Sequence, residues 1–189
     1  MSIFSESLLV FLQELDAALP FRHPLKLYLI GGSAITLAYD NENRTADLDF
    51  IDPPEVLIKK AGLRSKLARK YKIHASSMAK INFSAPKNWV DRCQKLPLKL
   101  KNLEIWIPLL EDIILGKLAR LEPKDFEDIF GLQNLKLVDL KRLVKRLEEN
   151  HQELRNMEYR NNVKLLFREV FGRVVSFEKG KLKLKKMRP

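Results

Sequence analysis

The chain has 189 residues, carries 35 Lys and Arg against 24 Asp and Glu for a formal charge of +11, and contains one cysteine. That length buries a sizeable core without staples, and the lone Cys93 excludes a disulfide framework and a Cys-rich zinc site. No run approaches the roughly eighteen apolar residues of a membrane span, and the opening residues lack the basic stretch and cleavage site of a signal peptide, so a soluble cytoplasmic protein is expected.

The charge is unevenly distributed. Residues 1–50 hold three basic residues against seven acidic ones, a net −4, which leaves +15 for the remainder. A field of that size draws in polyanions such as RNA, DNA or nucleotide phosphates. His23, His74 and His151 are too dispersed to form a metal-binding pattern.

In chain order, residues 3–19 place Leu8, Phe11, Leu12 and Leu15 at helical spacing and predict an amphipathic helix, ended by Pro20 and Pro24. "LKLYLI" (25–30) predicts a strand, Gly31-Gly32 a turn, residues 33–40 a short helix, and "TADLDFI" (45–51) a second strand. Residues 55–72 predict a basic amphipathic helix, with Arg64, Lys66, Arg69, Lys70 and Lys72 as a cationic segment. "KINFSA" (80–85) and "LEIWIP" (103–108) alternate as strands do. From 109 onward the period is helical, with a second cationic cluster at Lys141, Arg142, Lys145 and Arg146, and the chain closes on a basic segment expected to be a mobile tail. The expected partition is an α+β unit over 1–108, a helical unit over 109–175 and a tail over 176–189.

The chemistry concentrates in residues 27–50. Side chains at i and i+2 of a strand share a face, so Asp47 and Asp49 project together while Leu48 and Phe50 turn into a core. Two carboxylates that close repel one another, and a divalent cation between them relieves the repulsion. Mg²⁺ suits such a pair, since it takes one or two carboxylates and completes its octahedron with water and substrate phosphates. Upstream, a strand running through Gly31-Gly32-Ser33 into a helix lets a phosphate approach the backbone N–H groups, with the Ser33 hydroxyl as a further donor. Gly-Gly-Ser alone is a common turn and Asp-x-Asp alone a common surface pattern. Their succession on a strand–turn–helix–strand frame points to a nucleoside triphosphate held at both ends.

"GGS" followed thirteen residues later by "DLD" resembles the first motif of the nucleotidyltransferase superfamily that shares the DNA polymerase β palm. Residues 102–129 resemble the strand, "ED" pair, Lys-Leu-x-Arg helix face and Asp-x-x-Asp of the bacterial branch that includes the AbiEii-type toxins. The resemblance covers about residues 25–130. It implies an α+β nucleotidyltransferase fold, a small mixed sheet flanked by helices, followed by a helical region. It implies further that Asp47 and Asp49 bind Mg²⁺, that Gly32 and Ser33 hold the triphosphate, and that Glu104, alternating with Leu103 and Ile105, is the third carboxylate. Many relatives carry Asp at that third position. Lys117 and Arg120, three apart on a helix, would meet phosphate charge. Asp128 would orient one of them, while Asp125 has the bland alternative of a favourable charge in a first helical turn.

Two functions compete. The first is an Mg²⁺-dependent enzyme moving a nucleoside monophosphate from an NTP to a hydroxyl. The resemblance suggests a tRNA acceptor for it and a toxin role countered by a cognate antitoxin. The second is a non-catalytic basic module that binds nucleic acid or protein on the same fold; the Asp-x-Asp pair, which a pure binder does not need, argues against it.

Overall fold

The computed structural model describes residues 3–19, 21–39, 46–178 and 181–187. They form two compact units, one made of the chain up to Phe83 together with Val90–Leu109, the other of Ser84–Trp89 and the chain from Leu110 onward.

The first unit contains α1 (Ile3–Ala17), β1 (Leu25–Ile30), α2 (Gly31–Tyr39), β2 (Asp47–Ile51), α3 (Glu55–Ala61), α4 (Lys66–Tyr71), β3 (His74–Met78), β4 (Gln94–Lys95) and β5 (Leu103–Ile107). The strands make one mixed sheet in the order β3-β2-β1-β5-β4. β1 is antiparallel to β2 and parallel to β5, and β2 is parallel to β3. Alternation sorts the side chains. Leu27, Leu29, Leu48, Phe50, Leu103 and Ile105 are buried on one face, and Phe11, Leu12 and Leu15 of α1 are buried as well. Each such side chain contributes about 1.5–3 kcal/mol by leaving water. The opposite face carries Lys26, Tyr28, Asp47, Asp49, Glu104 and Trp106, all half-buried or exposed.

Three expectations change here. The helix foreseen over 55–72 is two short helices, because the chain leaves the helical region at Gly62 and restarts where Ser65 accepts a hydrogen bond from the Ala68 amide. The turn foreseen at Gly31-Gly32 is the first residue pair of α2, which follows β1 without a break. The strand foreseen over 80–85 is a 3₁₀ turn at Lys80–Asn82, and the strand lies upstream as β3. β3 is an edge strand of sequence His-Ala-Ser-Ser-Met in which only Ala75 is buried, so it lacks the apolar alternation that marks a strand in sequence.

The second unit contains α5 (Leu110–Leu118), α6 (Pro123–Asn134), α7 (Leu140–Glu149), α8 (Met157–Glu169), β6 (Arg173–Glu178) and β7 (Lys181–Lys186). Asp139 and Asn156 cap α7 and α8 by accepting amide hydrogen bonds in each first turn. Tyr159 donates its hydroxyl to the Leu115 carbonyl (3.3 Å) and Asn162 its amide to the Leu118 carbonyl (3.0 Å), tying α8 to the end of α5. Burial also pushes the Tyr159 hydroxyl pKa well up.

The expected tail is corrected over 181–186, which pairs with β6 in an antiparallel hairpin. Val175 and Leu182 are buried, and the Leu182 amide donates to Glu148 of α7 (2.9 Å). Leu182 and Leu184 alternate with lysines, and of the two only Leu182 is buried while the charges stay in water. Among the described residues no helix is long and apolar enough to cross a membrane.

Candidate active site

β1 delivers the chain directly into α2, whose opening N–H groups lack intrahelical partners. Gly31 takes a φ of +71°, and a Cβ built on it would stand 2.9 Å from Asp49 Oδ2. Only glycine satisfies both the backbone conformation and the approach of that carboxylate. The antiparallel register places Asp49 opposite Ile30, the last residue before that helix.

β3 flanks the aspartates on the other side of β2. Its parallel register sets His74 beside Asp47 and Ser76 beside Asp49. His74 Nδ1 lies 3.3 Å from Asp47 Oδ1, and the Ser76 hydroxyl donates to Asp49 Oδ1. Asp49 is thus held between a hydroxyl and a glycine backbone, whereas the Asp47 side chain is 52% exposed. Neither β3 residue was foreseen from sequence, since a Ser and a His in a polar stretch become informative only once strand pairing is known.

Ser33 differs from its expected role. It is fully buried and its hydroxyl donates to the Ile30 carbonyl (3.3 Å), so its one proton stabilises the helix start rather than facing a ligand. Gly32, partly exposed, offers backbone alone.

Glu104 also departs from expectation. It pairs with Lys26 on β1, four residues before Ile30, and β1 separates its strand from β2. Strand geometry puts it about 13 Å along and about 10 Å across from Asp49, beyond sharing a cation. Its carboxylate accepts from Lys95 (2.6 Å) and Trp106 Nε1 (3.3 Å), and these hydrogen bonds hold its pKa below the usual range. Lys26 lies 3.8 Å above the Trp106 ring. Trp89 and Tyr159 are core residues, while Trp106 is half-buried on the same sheet face as the aspartates.

Lys117, Arg120, Asp125 and Asp128 meet one another in the second unit. Lys117, 6% exposed, donates to Asp125 Oδ1 (2.8 Å) and Asp128 Oδ2 (2.5 Å). Arg120 reaches Asp125 through Nε (3.0 Å) while its side chain stays 61% exposed. Asp125 also closes a capping box with Glu122. Burial pushes the Asp125 carboxyl up, but hydrogen bonds and charge from Arg120 and Lys117 outweigh it and leave the pKa below the usual value. With two of its three donors committed to buried carboxylates, Lys117 joins α5 to α6 instead of presenting a free ammonium to phosphate. The neighbouring Glu111 and Asp112 are likewise buried, with Arg142 Nε 3.1 Å from Glu111.

Among the described residues no group of three or more His, Cys, Asp or Glu is disposed to hold a metal ion. The pair Asp47 and Asp49 nevertheless fits Mg²⁺, which accepts two carboxylates with water and phosphate in the remaining positions.

A mixed sheet flanked by helices, carrying two aspartates beside a glycine-led helix start, is consistent with a nucleotidyltransferase-like α+β domain. The chain belongs to the family described as nucleotidyltransferase of unknown function (DUF6036), whose profile matches residues 6–179. No curated protein and no solved structure matches it.

Proposed function

We propose that the protein transfers a nucleoside monophosphate from an NTP to a hydroxyl group, releasing pyrophosphate. The observation that carries this reading is the placement of Asp49 against Gly31, which brings a fixed carboxylate and the opening amides of α2 to one point. Asp47 and Asp49 would hold Mg²⁺, which when bound neutralises phosphate charge and orients the leaving group. Ser76 donates to the Asp49 carboxylate, and the amides of Gly31 and Gly32 would offer donors to phosphate oxygens. RNA is the proposed acceptor, supported by the basic charge outside the first fifty residues. A tRNA acceptor, a toxin role with a cognate antitoxin and kinship with the AbiEii-type branch rest on the motif resemblance alone.

The non-catalytic reading draws on a specific observation, the separation of Glu104 from the aspartate pair. One experiment decides between them. Each α-labelled NTP is incubated with Mg²⁺, total tRNA, total protein and either wild type or Asp47→Asn/Asp49→Asn. Label transferred by wild type alone is the expected result. No transfer from any nucleotide by a folded, RNA-binding protein would overturn the enzymatic reading and leave the binding module.

A further inference from the structure

A strong concentration of positive charge lies far from the aspartate pair in sequence. From Arg160 to the C-terminus there are ten Lys and Arg against two Glu. The described residues of this stretch form the second half of α8 and strands β6 and β7, and three of its cations, Lys164, Arg168 and Arg173, line a cavity of about 430 Å³.

The cavity lies within the second unit. Asn161, Lys164, Leu165 and Arg168 line it from α8, at the spacing of one helix face. Arg173, Val174 and Val175 line it from the start of β6. Its lining therefore combines apolar walls, one side-chain amide and three cations. Arg168 also donates to Glu169 (2.7 Å) in an exposed ion pair.

A row of cations leads away from this cavity. The hairpin register pairs Val174 with Lys185, Ser176 with Lys183 and Glu178 with Lys181, so the three lysines share the face that carries Val174. All three are exposed, and Lys183 forms an ion pair with Glu178. Alternate residues of a strand stand about 6.6 Å apart, a spacing that lets successive lysines address successive phosphates of one strand.

We infer that this surface binds a single strand of RNA, with one base seated in the cavity and the flanking phosphates along Lys181, Lys183 and Lys185. The identity of the strand as RNA rests on the acceptor proposed above; the site itself does not. Leu165, Val174 and Val175 supply the apolar contact an unstacked base requires, Asn161 a donor and acceptor for its edge, and Lys164, Arg168 and Arg173 the charge for its phosphates. A duplex keeps its bases stacked and cannot fill the cavity. An acidic peptide or an anionic membrane would use the cations but has no base to place between those walls.

The test is fluorescence anisotropy with a labelled twelve-nucleotide RNA in the absence of NTP and Mg²⁺. It is performed on the full chain carrying Asp47→Asn/Asp49→Asn, so that binding is read independently of transfer. Each phosphate contact adds about 0.7 to the salt slope for a single strand. Lys181→Gln/Lys183→Gln/Lys185→Gln should accordingly reduce that slope by about two. Val174→Asp, at an exposed position, should weaken the single strand about tenfold more than a duplex of equal length. Circular dichroism checks that both variants fold. An unchanged salt slope, equal weakening of single strand and duplex by Val174→Asp, or preferential binding of polyglutamate or phosphatidylserine vesicles would overturn the inference.

Discussion

Gly31, which opens α2, and Asp49 of β2 are fitted so closely that a methyl group on the glycine would stand 2.9 Å from the carboxylate oxygen. Gly31→Ala adds this clash to a left-handed backbone, whose cost for a non-glycine residue is about 1–2 kcal/mol. The expected outcome is a thermal midpoint lowered by several degrees and nucleotidyl transfer reduced at least tenfold. Calorimetry and the labelled-NTP assay measure the two effects. Wild-type transfer by a destabilised Gly31→Ala would show that the Asp49 position is not required.

Ser76 donates its hydroxyl to Asp49, so in the proposed reaction its role would be to position that carboxylate. Ser76→Ala is expected to lower kcat about tenfold with the thermal midpoint nearly unchanged, because a half-buried hydroxyl contributes only about 1 kcal/mol. The same variant should need more Mg²⁺ for half-maximal rate, and Ser76→Thr should restore part of it. A Mg²⁺ dependence identical to wild type would remove Ser76 from the site.

Glu104 offers the converse. Its register keeps it away from Asp49, and Lys95 and Trp106 occupy its oxygens. Transfer by Glu104→Gln should stay within about twofold of wild type, while Asp49→Asn should lose at least a hundredfold if Asp49 holds the proposed Mg²⁺. Comparable losses in both variants would restore Glu104 as the third carboxylate.

Lys117 lies between two carboxylates that are each 1% exposed. Removing one partner of a buried ion cluster costs about 3–5 kcal/mol, and Lys117→Met is expected to lose stability in that range in urea unfolding at neutral pH. A loss below about 1 kcal/mol would mean that water reaches the cluster.

The same cluster sets a pH dependence. The folded pKa of Asp125 lies below its unfolded value of about 3.9. Its contribution to stability is therefore complete above that value and disappears as pH falls through the lower, folded pKa. Asp125→Asn should lower stability at neutral pH and flatten the acid limb of the stability profile, measured by urea unfolding as the pH is lowered. An acid limb as steep as that of wild type would assign the dependence to other carboxylates.

Strong periodicity made much of this protein legible in sequence. β1, β2 and β5 each bury alternate apolar residues, and the helices beyond residue 109 repeat their apolar positions every three or four, because each element presents one face to a core. The pairing of Asp47 with Asp49 is equally local, since the pleat alone puts both on one face. Tertiary structure decided what these residues meet. Ser76 and His74 reach the aspartates through a parallel pairing across 27 residues of chain, on an edge strand too polar to announce itself. Glu104 lies on the correct face and at the wrong level, a matter of register between strands more than seventy residues apart. In sequence Lys117 is expected to meet phosphate and the lysines of β7 to lie in a mobile tail. Burial between Asp125 and Asp128 made the first a structural ion, and pairing with β6 arranged the others in a row. Periodicity is a property of neighbours along the chain, whereas register, burial and charge partners depend on which distant segments fold together.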